Sequence, residues 1–243
     1  MTGARIEVEI LADGEALARA VAERLCAVAA AAATTPFTIA LSGGSTPRRL
    51  YELLAAPPSR TLLPWAKIEL FFGDERSVPP EHPDSNYGMA KRALLDHVSV
   101  VAHRMEAERG DAEGYARLLG ERVARRRDGV PVLDVVLLGI GEDGHTASLF
   151  PGTAALTERT RWVVMNDVPQ LQTQRMTLTY PVLNAADHVW VLAAGAGKRA
   201  MVAECLEAAR RGDDPPPHPV VGVRPTGGEL IWFLDEAAAR PAV

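Results

Sequence analysis

Cysteine is scarce in this chain: Cys26 and Cys205 are the two present among 243 residues. They stand far apart within apolar, helix-like stretches, which fits small buried side chains and excludes a disulfide framework. No CxxC or HExxH pair occurs, so no metal site is expected. An excess of basic charge is missing as well. The net charge of -5 weighs against a nucleic-acid partner, which calls for a basic face. The one basic run, Arg125-Arg126-Arg127, reads as the solvated end of a helix. The first residues, MTGARIEVEIL, lack a charged leader followed by an apolar segment, so no secretory signal is expected. A long uninterrupted apolar run is lacking too. The stretch ALARAVAERLCAVAAAAA is broken by Arg19, Glu23 and Arg24, and its alanines suit a soluble helix rather than a membrane span. The expected location is the cytoplasm, with no membrane partner. No internal repeat, low-complexity tail or linker appears, and 47% hydrophobic residues suffice for a sizeable core. Residues 1–243 are therefore expected to form a single domain.

What is present is an alternation of short apolar runs with helical patterns. RIEVEIL, FTIAL, IELFF, LDVVLLGI, RWVVMN, RMTLTY, HVWVLAA and LIWFL read as strands. Asp13 is placed to cap a helix running to about Ala33, and PRRLYELLA reads as a helix with Pro47 in its first turn. DSNYGMAKRALLDHV, DAEGYARLLGERVARRR and KRAMVAECLEAARR read as further helices, and DDPPPHP as a surface loop. Strands that are apolar throughout and alternate with helices imply an α/β fold, with a mostly parallel Rossmann-like sheet flanked by helices.

Four of the apolar runs end in polar clusters. FTIAL leads into Ser42-Gly43-Gly44-Ser45-Thr46-Pro47, IELFF into Gly73-Asp74-Glu75-Arg76, LDVVLLGI into Gly141-Glu142-Asp143-Gly144-His145, and HVWVLAA into Gly195-Ala196-Gly197-Lys198. Ligands of open parallel sheets bind beyond the carboxyl ends of the strands, so parallel strands would bring all four clusters to one edge. The first cluster offers glycines, the Ser45 and Thr46 hydroxyls and the start of a helix, a combination suited to a phosphate monoester. A plain turn with a Ser/Thr cap explains the same residues. It is not a Walker loop, because no Gly-Lys-Ser/Thr follows. A lysine at a helix start, as at Lys198, is electrostatically unfavourable unless an anion joins it. Arg175 is either a second cation for that anion or a surface arginine opening a strand.

Gly139, Gly141 and Gly144 spell GxGxxG after a strand, and Asp167 follows further on. A dinucleotide site is nevertheless excluded on two grounds. Pro151-Gly152 leaves no room for the long helix such a site requires, and Glu142 and Asp143 would repel a pyrophosphate. His145 remains as a candidate base, with Asp143 or Asp74 as the carboxylate that could orient it. His82, His97, His103, His188 and His218 have no comparable surroundings in the sequence and are left unassigned.

The blocks LSGGSTPRRLYELL, FFGDERSVPPEHPDSNYGMA, GIGEDGHTASLFPG and MTLTYPVLNAADHVWVLAAGAGK resemble those of the bacterial-type 6-phosphogluconolactonases, from about Phe37 to Asp235. The resemblance implies the α/β fold shared with glucosamine-6-phosphate deaminase and ribose-5-phosphate isomerase. It implies hydrolysis of 6-phospho-D-glucono-1,5-lactone without a cofactor, by a monomer or small homo-oligomer. By the same resemblance His145 is the catalytic histidine, Asp74 and Arg76 are active-site residues, and Asp143 is an acidic residue of the histidine motif. Ser42, Gly43, Gly44, Ser45, Thr46, Arg175 and Lys198 match positions that hold the sugar phosphate. The related deaminases carry a glutamate five residues after the histidine, where this chain has Phe150, and Asp-Glu-Tyr where it has Asp74-Glu75-Arg76. A sugar-phosphate-sensing regulator of similar fold would usually carry a DNA-reading helix-turn-helix, for which the short stretch before the first strand leaves no room.

Overall fold

The computed structural model describes residues 6–33 and 36–239. The reading of residues 1–5 as free of a leader, and the outer ends of the expected single domain, lie outside the described residues. In chain order the strands are β1 (Ile6–Leu11), β2 (Phe37–Leu41), β3 (Ile68–Phe72), β4 (Asp74–Arg76), β5 (Val101–Ala102), β6 (Arg126–Arg127), β7 (Val130–Pro131), β8 (Val135–Gly139), β9 (Val163–Val168), β10 (Thr173–Leu178), β11 (His188–Ala193) and β12 (Glu229–Asp235). The helices are α1 (Gly14–Ala31), α2 (Ser45–Leu54), α3 (Ser59–Leu62), α4 (Asn86–Ala90), α5 (Ala112–Arg122), α6 (Tyr180–Ala185), α7 (Arg199–Arg211) and α8 (Glu236–Ala239).

Seven strands form one sheet in the order β1-β12-β11-β8-β2-β3-β5. Every pairing in it is parallel. The expected mostly parallel sheet with flanking helices is therefore what forms. All five residues of β2 and of β3 are buried, as strands covered on both faces must be. Trp190, Trp232, Phe71, Phe72 and Phe233 are the bulkiest parts of the core close to this sheet. α1 starts where expected, with the Asp13 carboxylate accepting from the Ala16 N–H at 2.8 Å. Among the described residues no helix is long and apolar enough to cross a membrane.

The strand order reverses direction between β2 and β8. Strands β2, β3 and β5 step one way from this point, and β8, β11 and β12 step the other. β2 and β8 pair only at Ile39 with Val135 and Ala40 with Val136, so the two strands part before their carboxyl ends. A crevice at such a switch point is where this class of sheet binds ligands.

Two expected strands lie elsewhere. β9 and β10 form a small antiparallel sheet with β4, in the order β4-β10-β9. The chain leaves the main sheet at Gly73, whose N–H still bonds Leu41 O at 2.8 Å while its C=O accepts from Leu178 N at 2.8 Å. This step brings Arg76 opposite Arg175 in the small sheet.

The helix expected over 111–127 stops at Arg122, which corrects the reading of the arginine run as a solvated helix end. Arg126–Arg127 pair with Val130–Pro131 across Asp128-Gly129, both at positive φ (50° and 83°). That is the backbone demanded by a tight hairpin with a matching twist. Arg125 donates to Asp134 at 2.8 Å and also pairs with Asp187, and Arg127 reaches Asp187 at 3.0 Å. The run is a set of tertiary ion pairs. The helix expected over 84–98 is also shorter, with α4 passing into a single wider turn at Lys91–Leu95.

Candidate active site

The four polar clusters do meet. A pocket of about 180 Å³ at the switch point is lined by Ser42, Gly43, Gly44, Asp74, Arg76, Gly139, Gly141, His145, Arg175 and Lys198, together with Asn86, Ile140, Thr146 and Ala147. Ser45 and Thr46, the first residues of α2, are not among the lining residues. No long helix follows Gly144, in keeping with the rejection of a dinucleotide site.

The glycine loop after β2 is held by a buried phenol. Tyr51 OH accepts from Ser42 N at 2.9 Å and donates to Ser42 O at 2.7 Å. Burial pushes the Tyr51 hydroxyl far up in pKa, so it stays protonated and serves both bonds. Gly43 has no room for a side chain: a Cβ there would come within 1.9 Å of Asn86 Oδ1. Gly44 sits at φ +107°, and α2 begins with no side-chain cap, leaving its first N–H groups without such a partner.

Asp74 is buried, with Oδ2 accepting from Ser148 Oγ at 2.7 Å and Oδ1 from Asn86 Nδ2 at 3.2 Å. Its neighbour Glu75 has a folding role. Glu75 accepts from Asn86 N at 2.7 Å, Tyr87 N at 2.8 Å and Ser85 Oγ at 3.0 Å, and so caps α4. Burial raises its pKa against these lowering bonds.

At the third loop Gly141 N bonds His145 O at 2.8 Å and Gly144 N bonds Gly141 O at 3.2 Å, closing a tight turn. A Cβ on Gly141 would lie 2.0 Å from His145 Nδ1, so the imidazole folds back over a glycine. Asp143 Oδ1 lies 2.5 Å from His145 Nδ1 and accepts from His145 N at 3.1 Å. A carboxylate only accepts, so Nδ1 carries the proton, and in the neutral ring Nε2 keeps its lone pair. Burial pushes the Asp143 carboxyl up, but the bonds from the His145 ring and backbone outweigh it, and the net pKa is lowered. The His145 side chain remains 28% exposed and so open to a ligand.

Three cations share the pocket. Arg76 donates to Asp84 O, while its Nε is buried without a partner among the described residues. Arg175 Nε is likewise buried and unpartnered. Burial first, and then the neighbouring Arg76 charge, lower the pKa of Arg175. Two adjacent guanidiniums with unpaired buried N–H groups are costly unless an anion joins them. Lys198 sits where α7 begins and makes no ion pair among the described residues.

Sequence reasoning missed Asn86, Thr146 and Ala147. Asn86 braces Asp74 against the Gly43 loop, a tertiary role that no local pattern announces. Ala147 holds φ +48°, an uncommon backbone for alanine and one that gathers at functional sites. A larger cleft of about 720 Å³, walled by Tyr180, Leu156 and Pro215–Pro217, lacks this chemistry. Its arginines 127, 159 and 224 already donate to main-chain carbonyls.

Fold and pocket together define an α/β enzyme whose basic site lies at a sheet switch point. Residues 12–232 match the family model described as glucosamine-6-phosphate isomerases/6-phosphogluconolactonase, and the chain belongs to this family. It is 44% identical over 209 residues to a 6-phosphogluconolactonase of Nostoc sp., covering 83% of each chain. It is 42% identical over 236 residues to the 6-phosphogluconolactonase of Homo sapiens, covering 93% of this chain and 88% of the human one. The solved structure of 6-phosphogluconolactonase from Trypanosoma brucei superposes with a TM-score of 0.84 at 29% identity, covering 97% of this chain and 98% of that one.

Proposed function

We propose that this chain hydrolyses 6-phospho-D-glucono-1,5-lactone to 6-phospho-D-gluconate in the oxidative pentose phosphate pathway, with His145 as general base. One observation carries the reading: His145, held by Asp143, lines the same pocket as Arg76, Arg175 and Lys198. An imidazole base facing a cluster of cations suits an anionic substrate with an electrophilic carbon. The phosphate docks against Ser42 to Gly44, Arg175 and Lys198. His145 Nε2 takes a proton from water as the water oxygen attacks C1. The carbonyl electrons move onto oxygen, and Arg76 or the N–H groups near Gly43 and Gly44 stabilise that charge. When the tetrahedral intermediate collapses, the C1–O5 bond breaks and imidazolium returns the proton to O5. Asp143 orients the ring and stabilises its charged form, while Asp74 keeps the surrounding loops in register. A lactone is an activated ester, so these steps route through no metal or organic cofactor.

The family spans two chemistries, and Phe150 favours hydrolysis. A phenyl ring cannot relay the proton that the deaminase glutamate handles at that place, so amino-sugar isomerisation is disfavoured. We place the reaction in the cytoplasm and assign it to a single α/β domain, acting as a monomer or small homo-oligomer with no nucleic-acid partner. The test is direct. Purified protein added to freshly made lactone should release acid well above the spontaneous rate, and should release no ammonia from glucosamine 6-phosphate. Ammonia release alone selects the deaminase, and neither activity leaves a sugar-phosphate binding module.

A further inference from the structure

Phe150 follows His145 by five residues and is fully buried, yet its ring touches the working imidazole. The two ring centroids lie 4.0 Å apart with planes inclined by 22°, a near-parallel stack. The contact comes from a braced segment. Phe150 O accepts from Thr153 Oγ1 at 2.8 Å and from Thr153 N at 3.2 Å, and Leu149 N bonds Thr146 O at 2.9 Å. Just before it, Ser148 N donates to Thr177 Oγ1 at 3.1 Å. The phenyl ring is therefore a fixed surface.

Asp143 alone underdetermines the imidazole. One hydrogen bond at Nδ1 fixes that atom but lets the ring swing about it. A flat apolar surface against the ring face removes this freedom. It neither donates nor accepts a proton, so it does not compete with Asp143, and its π-face favours the imidazolium formed during the reaction. We propose that Phe150 is a positioning residue for the hydrolysis: its ring sets the plane of His145, so that Nε2 keeps one direction toward the attacking water. This rests on the reading of the site as a lactonase. It assigns Phe150 a positive task beyond the absence of a deaminase glutamate.

The test compares the wild type with Phe150→Leu, which removes the aromatic face, and Phe150→Tyr, which retains it. The Leu variant should lose about 10- to 100-fold in kcat, as small misplacements of a catalytic group do, with a smaller change in KM. The Tyr variant should recover most of that loss. Proton NMR gives a readout free of substrate: the His145 Cε1–H resonance, shifted upfield by the phenyl ring in the wild type, should move downfield in the Leu variant and stay in place in the Tyr variant. If Leu impairs folding, judged by thermal melting, Phe150→Met fills more of the space and takes its place. An unchanged kcat in the Leu or Met variant overturns the proposal. So does a Tyr variant as slow as Leu, or an unmoved His145 resonance. Failure of the lactonase reading is distinct, because the wild type itself would then not accelerate lactone hydrolysis while the resonance would still report the stack.

Discussion

The 2.5 Å contact between His145 Nδ1 and Asp143 Oδ1 separates the tasks of Asp143 and of Asp74, the carboxylate that lines the pocket. Asp74 already accepts from Ser148 and Asn86, so it serves the frame, while Asp143 serves the ring. Replacing His145 by Ala should lower kcat by about 10²–10⁴-fold with the fold intact. Asp143→Asn should cost about 10²-fold or more, because an amide no longer stabilises the imidazolium. Asp74→Asn should lower the melting temperature as well, since the bonds from Ser148 and Asn86 lose their charged acceptor. Parallel measurements of kcat and thermal melting for the three variants separate these outcomes. Lys198 makes no ion pair among the described residues, so Lys198→Ala should chiefly raise KM for the phosphorylated lactone. An equal rise with an unphosphorylated lactone would show that Lys198 does not read phosphate. The His145–Asp143 pairing was open to sequence reading, because the two stand two apart in a glycine turn. The choice between Asp143 and Asp74 was not, because Ser148, which occupies Asp74, lies 74 residues away in the chain.

Between strands and helices, the loops hold their shape through single buried groups. Tyr51 satisfies both the N–H and the C=O of Ser42, and Tyr115 does similar work at the end of β3, accepting from Phe72 N at 2.9 Å and donating to His103 O at 3.1 Å. Tyr51→Phe strands two buried main-chain groups beside the glycine loop. It should cost about 1–3 kcal/mol of stability, read from urea unfolding, and raise KM as the loop loosens. A variant with wild-type unfolding and KM would mean that water replaces the hydroxyl. The strands themselves were legible as apolar runs bounded by polar clusters, and so was the shared edge that they imply. The arginine run misled because its helical charge pattern outweighed the turn signal of Asp128-Gly129, and because Asp134 and Asp187 come from distant segments. Arg175 stayed ambiguous for a related reason. Only the antiparallel register of β10 with β4 sets it beside Arg76, and a register between strands so far apart leaves no mark on either one.

For the molecule as a whole, the reversal of strand order between β2 and β8 creates the pocket, and the half of the sheet beyond β2 must stay docked to keep it. Glu69 on β3 ties that half to α5 and to the segment after β5. Buried itself, it pairs with the Arg122 guanidinium through both oxygens and lies 2.7 Å from His103 Nε2. Burial pushes the Glu69 carboxyl up, but Arg122 and His103 outweigh it, and its pKa falls below the ordinary 4.5. A carboxyl depressed in the folded state binds fewer protons there than in the unfolded chain. The stability it contributes is therefore fully present above pH 4.5 and drains away as the pH falls through the depressed folded value. Glu69→Gln should accordingly be less stable than the wild type by about 1–2 kcal/mol at pH 7, from weaker bonds to the charged partners. The gap should close progressively below pH 4.5, where the wild-type carboxyl takes up the proton that glutamine mimics. Urea midpoints of both proteins at neutral pH and at steps below that value measure the gap. A difference that stays constant into acid would assign the loss to packing, and the coupling of β3 to α5 would then not depend on the charge of Glu69.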